Sequence, residues 1–265
     1  MKRIALWTTY YLPKTEARNS EFIRCLKINS ENPHIDVMYV LCENTPCPIK
    51  SQKIKVIPIT ERPSFNTFFY HYGLLEHKSV NVLINTDIII DYRKTEHFRK
   101  LAGKSAFMLT RYEVMFPDTI NSMTDLETAR IDLLEGDDTH TRDQFYGSYD
   151  LWAIDGAPEK LIFPEYLGVL ACDGRAAFHF YSLGYALYNP CLTIRIYHLH
   201  GDPDRSYYLE PYKGDLIQIR PTNWAAIRDP TITQTALMPD PFNQMRIPPP
   251  SVKPYSILSR LKMRL

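Results

Sequence analysis

The segment VNVLINTDIIID, residues 80–91, places a polar tripeptide inside an otherwise apolar run. Its first part, residues 80–85, is apolar on both faces, as in a strand of a parallel sheet that is covered by helices. Ligands bind beyond the carboxyl ends of such strands, and Asn85, Thr86 and Asp87 lie where this strand is expected to end. Alone, an Asn-x-Asp sequence more often closes a turn or caps the next segment. The meaning of the tripeptide therefore depends on the rest of the chain.

The other segments alternate between patterns typical of strands and of helices. Short β-rich runs cover residues 3–9, 35–43, 53–59, 105–111, 149–154 and 192–200. Helical patterns cover residues 15–32, with Thr15 or Asn19 as N-cap, 64–77, capped by Ser64, 91–103 and 173–185. This alternation predicts an α/β layered fold. Residues 112–147 are polar and lack a clean period, which favours a functional or mobile insert.

The C-terminal part of the chain differs in composition from the rest. It holds many of the 20 prolines, including IPPP at residues 247–250, and such sequences favour extended backbone. We therefore divide the chain into a domain at residues 1–210 and a Pro-rich extension at 211–265 that packs on the domain or trails from it. The final YSILSRLKMRL is basic and weakly amphipathic, so a contact with a membrane surface stays open, although a solvated helix is favoured.

Composition excludes several classes of protein. The 265 residues are 45% apolar and 23% charged, as in soluble globular proteins, and the net charge of +1 argues against a nucleic-acid partner. The five cysteines are scattered and never form a C-x-x-C pair, which favours a reducing compartment. The sequence has no apolar run long enough for a membrane span and no signal-peptide pattern, so we expect a cytoplasmic protein.

Two further groups of residues could carry chemistry. His198 and His200 alternate along the last strand pattern and would share one side of it, where two imidazoles and an Asp suit Mn or a similar ion. The alternative is that both are polar surface or satisfied core residues. Asp173 opens a helix, either as an N-cap or as a general base. Asp150, in SYDLW, is a second carboxylate at a strand start, or else a turn residue.

Taken in order, these motifs resemble a known family. INTDIIID, LTR, SYDLWAI, PEYLGVLACDGRAAFHFYSLGYALYNP and IYHLHGDPDRSY are similar to segments of GT-A fold glycosyltransferases, in particular the family 2-like group of bacterial polysaccharide loci and large viruses. The resemblance runs from the first strand to about Tyr208. It implies a Rossmann-like mixed sheet flanked by helices. It also implies that the Asn85–Asp87 tripeptide, in place of a D-x-D motif, binds the metal and diphosphate of a nucleotide sugar.

Roles for individual residues follow from the resemblance for Asp173, the histidines and the end of the first strand, and from their own positions in the sequence for the others. Asp173 would be the catalytic base, with Asp150 as a second catalytic carboxylate, and His198 a metal ligand, with His200 also possible. The remaining donor contacts would come from Thr8 and Tyr10 for the nucleobase, Glu43 for base or ribose, Arg18 and Arg62 for base or phosphate, and Arg205 for phosphate through its guanidinium fork. An arginine that only covers apolar surface is the alternative for Arg18 and Arg62. The insert at 112–147 would lie on the acceptor side.

Two residues depart from the pattern of the family. Asn85 replaces the first Asp of D-x-D, so metal ligation would rest on Asp87 and a histidine, with Asn85 on ribose or a water. Cys172 replaces the Glu before the base, which leaves Asp173 in place.

The sequence thus predicts a metal-dependent glycosyltransferase that uses Mn²⁺ or Mg²⁺. It would move a sugar from a nucleoside diphosphate donor to a glycan hydroxyl, with inversion at the anomeric carbon. One alternative is a catalytically silent nucleotide-sugar or glycan binder. A nucleotidyltransferase is less favoured, because no Gly-rich phosphate loop follows the first strand.

Overall fold

The computed structural model describes residues 1–133, 149–169, 171–201, 217, 219 and 222–224. The strands in this part of the chain are β1 (Ile4–Tyr10), β2 (Val37–Glu43), β3 (Ile54–Ile59), β4 (Val80–Ile84), β5 (Ile88–Ile90), β6 (Ser105–Leu109), β7 (Tyr112–Val114), β8 (Ile131–Leu133), β9 (Leu151–Asp155), β10 (Ala186–Tyr188) and β11 (Ile196–His198). The helices are α1 (Glu16–Glu31), α2 (Phe65–Leu75), α3 (Tyr92–Thr95), α4 (Asp125–Thr128) and α5 (Cys172–Ser182).

A seven-stranded sheet organises the chain, in the order β10-β6-β9-β4-β1-β2-β3. Strands β3, β2, β1 and β4 run parallel to one another, and β6 and β10 are also parallel. Strand β9 lies between β4 and β6 and is antiparallel to both. The expected α/β fold with a mixed sheet is therefore confirmed.

Helices cover both faces of this sheet. Along β1, Ile4 and Leu6 pack on one side with Phe22 of α1, whereas Ala5 and Trp7 pack on the other side with α2 and α5. All five residues of β4 are buried. Burial on both faces explains why the VNVLI run lacks the alternation of a half-exposed strand.

The polar residue within that run, Asn81, is buried and fully hydrogen-bonded. Its side-chain oxygen accepts from the indole of Trp7 at 2.8 Å, and its amide donates to the carbonyl of Gly156 at 2.7 Å. Because both halves of the amide have partners, the centre of the sheet tolerates this polar side chain.

A second sheet, in the order β5-β11-β7-β8, packs against the other side of α1. Strand β11 is antiparallel to β5 and parallel to β7, which sets His198 opposite Ile88 on one side and Glu113 on the other. Since β5 follows the tripeptide directly, this sheet brings the end of β11 to the carboxyl edge of the first sheet.

Three sequence-based boundaries were wrong. The helix expected at 91–103 is the single turn α3 followed by a 3-10 segment, Glu96–Lys100. The last strand is only β11, because Thr193 and Ile194 bond back to the carbonyl of Pro190 in a turn. The polar region from residue 112 contains β7, α4 and β8 up to residue 133, so its described part is not a structureless loop.

Three described residues of the predicted Pro-rich extension pack into the domain. Ile217, Ile219 and Trp224 are buried in the two clusters that flank the large sheet. Their backbones are also bound: the Ile217 amide donates to the Gly174 carbonyl at 3.2 Å, and the Trp224 amide donates to Thr193 Oγ1 at 2.9 Å. The division at residue 210 stays a prediction, and most of the extension lies outside the described residues.

A chain truncated after residue 210 is expected to lose about 5 kcal/mol of unfolding free energy, because three large apolar side chains leave the core. Chemical denaturation of fragments 1–210 and 1–230 would measure the difference. Equal stability of the two fragments would contradict the prediction.

All five cysteines are free thiols.

Within the part of the chain that the structure describes, no helix is both long and apolar enough to cross a lipid bilayer.

Candidate functional site

The candidate site lies at the carboxyl edge of the large sheet. Strand β4 ends there at Ile84, and the antiparallel β9 starts there, so Asn85 and Asp150 become neighbours. The Asn85 amide donates to the Asp150 carbonyl at 3.2 Å, and its side chain donates to Asp150 Oδ1 at 2.6 Å. Both residues were predicted for the site, and the structure brings them together.

The tripeptide is also a turn. The Ile88 amide donates to the Asn85 carbonyl at 3.2 Å, which closes the turn between β4 and β5. Thr86 ties it to the end of β1, because its Oγ1 lies 2.7 Å from Thr9 Oγ1 and 3.1 Å from the Thr9 carbonyl. The two interpretations of the tripeptide are thus compatible: the turn is what presents Asp87.

Asp87, His198 and Glu113 form a buried line of acid, imidazole and acid. His198 Nε2 lies 3.1 Å from Asp87 Oδ2, and Nδ1 lies 2.8 Å from Glu113 Oε2. The backbone supports this contact, since the Leu199 amide donates to the Asp87 carbonyl at 2.9 Å. A carboxylate on one ring nitrogen is the usual arrangement that orients a metal-binding histidine through its other nitrogen.

His200 completes a possible metal-binding group. Its ring stacks on that of His198 with a centroid distance of 5.1 Å and an interplanar angle of 11°. One ligand atom from each of Asp87, His198 and His200 lies within 4.8 Å of the others. Mixed oxygen and imidazole donors suit Mn²⁺ and similar ions. These residues fit the predicted metal, whose identity the donor set leaves open.

The charges around this group favour a cation. Four carboxylates face two guanidinium groups: Arg18 pairs with Glu21 and Asp87, and Arg111 pairs with Glu113 and Asp150. His198 joins the two sets through Asp87 and Glu113. With His198 neutral, as a metal ligand must be, four negative and two positive groups leave a formal charge of −2. A divalent ion would neutralise that charge.

The pKa values in the network follow from these contacts. Burial alone would raise the pKa of Asp87, but the charges and hydrogen bonds of His198 and Arg18 outweigh it and hold that pKa well below its ordinary value. Burial likewise opposes ionisation of Glu113, yet His198 and Arg111 lower its pKa. For His198, burial and Arg111 lower the pKa, and the two carboxylates raise it overall.

Arg111 links this group to Asp150. Its guanidinium donates to Glu113 Oε1 at 2.9 Å and to Asp150 Oδ2 at 2.6 Å. Sequence reasoning missed both Arg111 and Glu113. Arg111 lies just past the end of β6, so the rule that sites form at carboxyl ends of strands could have found it. No local pattern marks Glu113, which reaches His198 through the register of β7 and β11.

Asp173 lies in the first turn of α5, close enough to Asp150 for the charges of the two carboxyl groups to interact. Its Oδ2 accepts from the Tyr149 amide at 3.0 Å, and Oδ1 accepts from the Gly174 amide at 3.0 Å. Burial, reinforced by the charge of Asp150, raises the pKa of Asp173 to about 7. Asp150 has Arg111 and Asn85 as partners, whereas Asp173 has backbone amides. The two carboxyl groups therefore have different environments: Asp150 is ion-paired, and Asp173 is bound by backbone amides.

The remaining candidates occupy more varied positions. Thr8 and Tyr10 are buried in β1, and the Tyr10 hydroxyl donates to Asn19 at 2.8 Å. Glu43 is half-buried at the end of β2, and Arg62 donates to the Leu167 carbonyl. Arg205 lies outside the described residues. Their predicted contacts with a nucleotide stay predictions.

Replacing Glu113 with Ala is expected to weaken Mn²⁺ binding by about 10- to 100-fold, because His198 loses the acceptor that orients its ring. Calorimetric titration of Mn²⁺ into the two proteins measures this directly. Glu127→Ala, an exposed carboxylate of α4, is a matched control that should bind Mn²⁺ as the wild type does. Equal affinities for all three proteins would refute the role of Glu113.

No protein-family model matches the sequence, and no curated protein matches it. Among solved structures, the chain is similar to 4-diphosphocytidyl-2C-methyl-D-erythritol synthase from Anaerococcus prevotii, with 13% identity and a TM-score of 0.35 over 58% of this chain and 70% of that one. A UDP-glucose pyrophosphorylase solved with UDP-glucose shows 7% identity and a TM-score of 0.36, with 75% of this chain and 90% of that chain covered.

The UTP-bound UGPase of Acinetobacter baumannii is a further structural neighbour, with 9% identity, a TM-score of 0.34 and coverage of 75% of this chain and 86% of that one. At these identities and scores the likeness concerns the α/β fold alone. Any assignment of activity to this chain must rest on its own site.

Proposed function

We propose that the protein is a metal-dependent glycosyltransferase that uses a nucleoside diphosphate sugar as donor and a glycan hydroxyl as acceptor. The observation that carries the proposal is the pairing of two sites at one sheet edge. The Asp87–His198–His200 group has the donor set for a divalent cation, and Asp173 is a carboxyl group whose pKa of about 7 suits a general base.

On the donor side, Asp87, His198 and His200 would hold the cation against the diphosphate. A bound Mn²⁺ or Mg²⁺ supplies a Lewis acid that neutralises the charge growing on the leaving diphosphate as the bond between the sugar and the phosphate oxygen breaks. The protein contributes the orientation of the ligands: Glu113 fixes the His198 ring, and the turn at Asn85–Ile88 fixes Asp87.

On the acceptor side, Asp173 would take the proton of the attacking hydroxyl. Its raised pKa keeps the carboxylate basic enough to accept that proton near neutral pH, while Arg111 and Asn85 hold Asp150 by an ion pair and a hydrogen bond. One base that assists attack from the face opposite the leaving group gives inversion at the anomeric carbon. Asp150 positions this region through its contacts and supplies part of the charge that raises the Asp173 pKa.

The structure offers a physical reason for the departure from D-x-D at Asn85. The Asn85 side-chain amide donates to Asp150 Oδ1 at 2.6 Å. An aspartate at position 85 would set two carboxylates against each other there, which favours the uncharged donor. We therefore assign Asn85 a role in holding Asp150.

Thermal-shift screening of nucleotide sugars with and without Mn²⁺ tests the donor side, because a ligand that binds only the folded state raises its Tm. We expect a shift that requires both a nucleotide sugar and the metal, and that Asp87→Asn abolishes. A complete absence of shifts across uridine, guanosine, cytidine and thymidine diphosphate sugars would refute the proposal.

Product analysis separates the activities that share such a site. A glycosyltransferase releases nucleoside diphosphate from the donor, whereas a nucleotidyltransferase releases pyrophosphate from a nucleoside triphosphate. Binding of a nucleotide sugar with no turnover on any glycan acceptor would instead indicate the silent binder.

A further inference from the structure

Arg18 is a buried cation inside the candidate metal site. It lies in the first turn of α1, where its own amide donates to the capping Thr15 at 3.2 Å. Its guanidinium carbon lies 4.7 Å from the centre of the Phe22 ring, and the residue is 6% exposed. The cap therefore fixes the backbone of Arg18, and the ring contact and the ion pairs position its side chain.

The guanidinium bridges two acids. Its Nη1 donates to Glu21 Oε2 at 2.6 Å, and its Nη2 donates to Asp87 Oδ2. The Asp87 oxygen is the same one that His198 Nε2 faces at 3.1 Å. Arg18 thus binds the Asp87 oxygen that faces His198, the neighbouring proposed metal ligand.

A divalent cation and a guanidinium cannot share this oxygen at low energy. Both are positive, and repulsion between charges a few ångströms apart is strong where little water screens it. Arg18 has a second partner in Glu21, whose other carboxylate oxygen accepts from the Gly201 amide at 2.6 Å. The arginine can therefore leave Asp87 and keep one ion pair.

We propose that Arg18 holds the Asp87 carboxylate in the metal-free protein, competes there with the divalent cation, and binds a metal-bound phosphate once it is displaced. This inference rests on the metal site of the proposed function and adds a role for Arg18 within it. Planar guanidinium groups pair well with phosphate oxygens. Cation and phosphate then bind cooperatively, because the phosphate neutralises the charge that opposes the cation.

The test compares Mn²⁺ binding to the wild type and to Arg18→Met by titration calorimetry. Met keeps much of the apolar stem beside Phe22 and removes the charge. We expect Arg18→Met to bind Mn²⁺ alone about tenfold more tightly or better, because the competitor is gone. Inorganic phosphate should tighten Mn²⁺ binding to the wild type severalfold and leave the affinity of Arg18→Met nearly unchanged.

Two further variants complete the test: one guards against loss of the fold, and the other is a matched control. Arg18→Met leaves Glu21, which is 1% exposed, without its guanidinium partner. The double variant Arg18→Met/Glu21→Gln removes both charges and should show the same gain in Mn²⁺ affinity. Arg24→Met is the matched control: it lies on the same helix and donates to the Pro117 carbonyl at 2.9 Å, so its Mn²⁺ affinity should equal that of the wild type.

The outcomes are distinct. Tighter Mn²⁺ binding by both Arg18 variants, with loss of the phosphate effect, supports the proposal. Unchanged or weaker Mn²⁺ binding by Arg18→Met overturns the proposal about Arg18. The metal site itself stands in that case if the wild type binds Mn²⁺ and Asp87→Asn does not. If neither the wild type nor Arg18→Met binds Mn²⁺ better than Asp87→Asn does, the metal site itself falls, and this inference with it.

Discussion

Asp87→Asn is expected to abolish detectable Mn²⁺ binding and to lower the transfer rate about a thousandfold or more, since metal coordination contributes several kcal/mol to stabilising the leaving group. The substitution keeps the shape of the side chain and removes its charge. It also leaves Arg18 and His198 facing a neutral amide, so we expect about 3 kcal/mol lower unfolding free energy. Mn²⁺ titration, donor turnover and urea denaturation measure these three effects.

Asp91→Asn separates the loss of metal from the loss of stability. Asp91 is also buried, four residues further along, and pairs with Arg93 and with the Tyr197 hydroxyl at 2.9 Å. Its replacement should lower stability and leave Mn²⁺ affinity unchanged. Retention of Mn²⁺ binding and transfer by Asp87→Asn would remove Asp87 from the site.

Asp173→Asn is expected to lower the transfer rate about 100- to 10,000-fold, the usual effect of removing a general base. In the wild type the rate should rise with pH and level off above about pH 7, where Asp173 is ionised. The charged groups that govern this profile from the neighbouring strands are Asp150 and its partner Arg111. The variant should show no such step. A variant with the wild-type rate and pH profile would assign the base elsewhere.

The same substitution should remove a loss of stability that the wild type undergoes between about pH 4 and pH 8. The folded protein keeps the Asp173 proton up to about pH 7, whereas the unfolded chain loses it near 3.8. The folded state therefore binds this proton more tightly than the unfolded chain does. The stability that this proton binding contributes is present below about pH 4 and is lost as the pH rises to 7. As the pH rises from 4 to 8, the unfolding free energy of Asp173→Asn should therefore gain about 1–3 kcal/mol on that of the wild type. Its absolute value also includes the loss of one backbone hydrogen bond, because an Asn side chain has a single acceptor oxygen.

Glu165→Gln is a contrasting variant, because Glu165 also contacts α5 but has a pKa shifted in the opposite direction from that of Asp173. Burial opposes ionisation of Glu165, but His179 and Arg175 of α5 lower its pKa overall. The ionised carboxylate then stabilises the fold above its ordinary pKa, and that contribution is lost in acid. As the pH rises from acid to 7, Glu165→Gln should therefore lose stability relative to the wild type, opposite in sign to the change for Asp173→Asn. Equal signs for both would show that the pKa of Asp173 is not raised.

Local patterns were sufficient for much of the fold and for part of the site. Periodicity located six of the seven strands of the large sheet and missed β10, and Thr15 capped α1 as expected. The polar interruption after β4 and the alternation of His198 and His200 both marked strand ends, which is where a parallel sheet binds ligands. The three proposed metal ligands were therefore within reach of the sequence.

The residues that contact these three ligands could not be predicted from the sequence. Glu113 meets His198 across 85 residues of chain, through the pairing of β7 with β11 in a sheet that no local pattern predicts. Arg18 was a candidate for base or phosphate, but its ion pair with Asp87 spans 69 residues and depends on how α1 packs between the two sheets. Tertiary register decides such contacts, and single-sequence periodicity carries no information about it.

The antiparallel course of β9 has a consequence for how this protein could change its specificity. Strand β8 ends at Leu133 in the small sheet, and β9 starts at Leu151 in the large one, so both ends of the intervening sequence are fixed. The entropy of closing a loop grows only slowly with its length. A change in the number of residues between these two fixed ends is therefore expected to cost little closure entropy. Under the proposed function, we expect sequence changes there, adjacent to Asp150 and remote in sequence from the proposed metal ligands, to be a route to a different acceptor range.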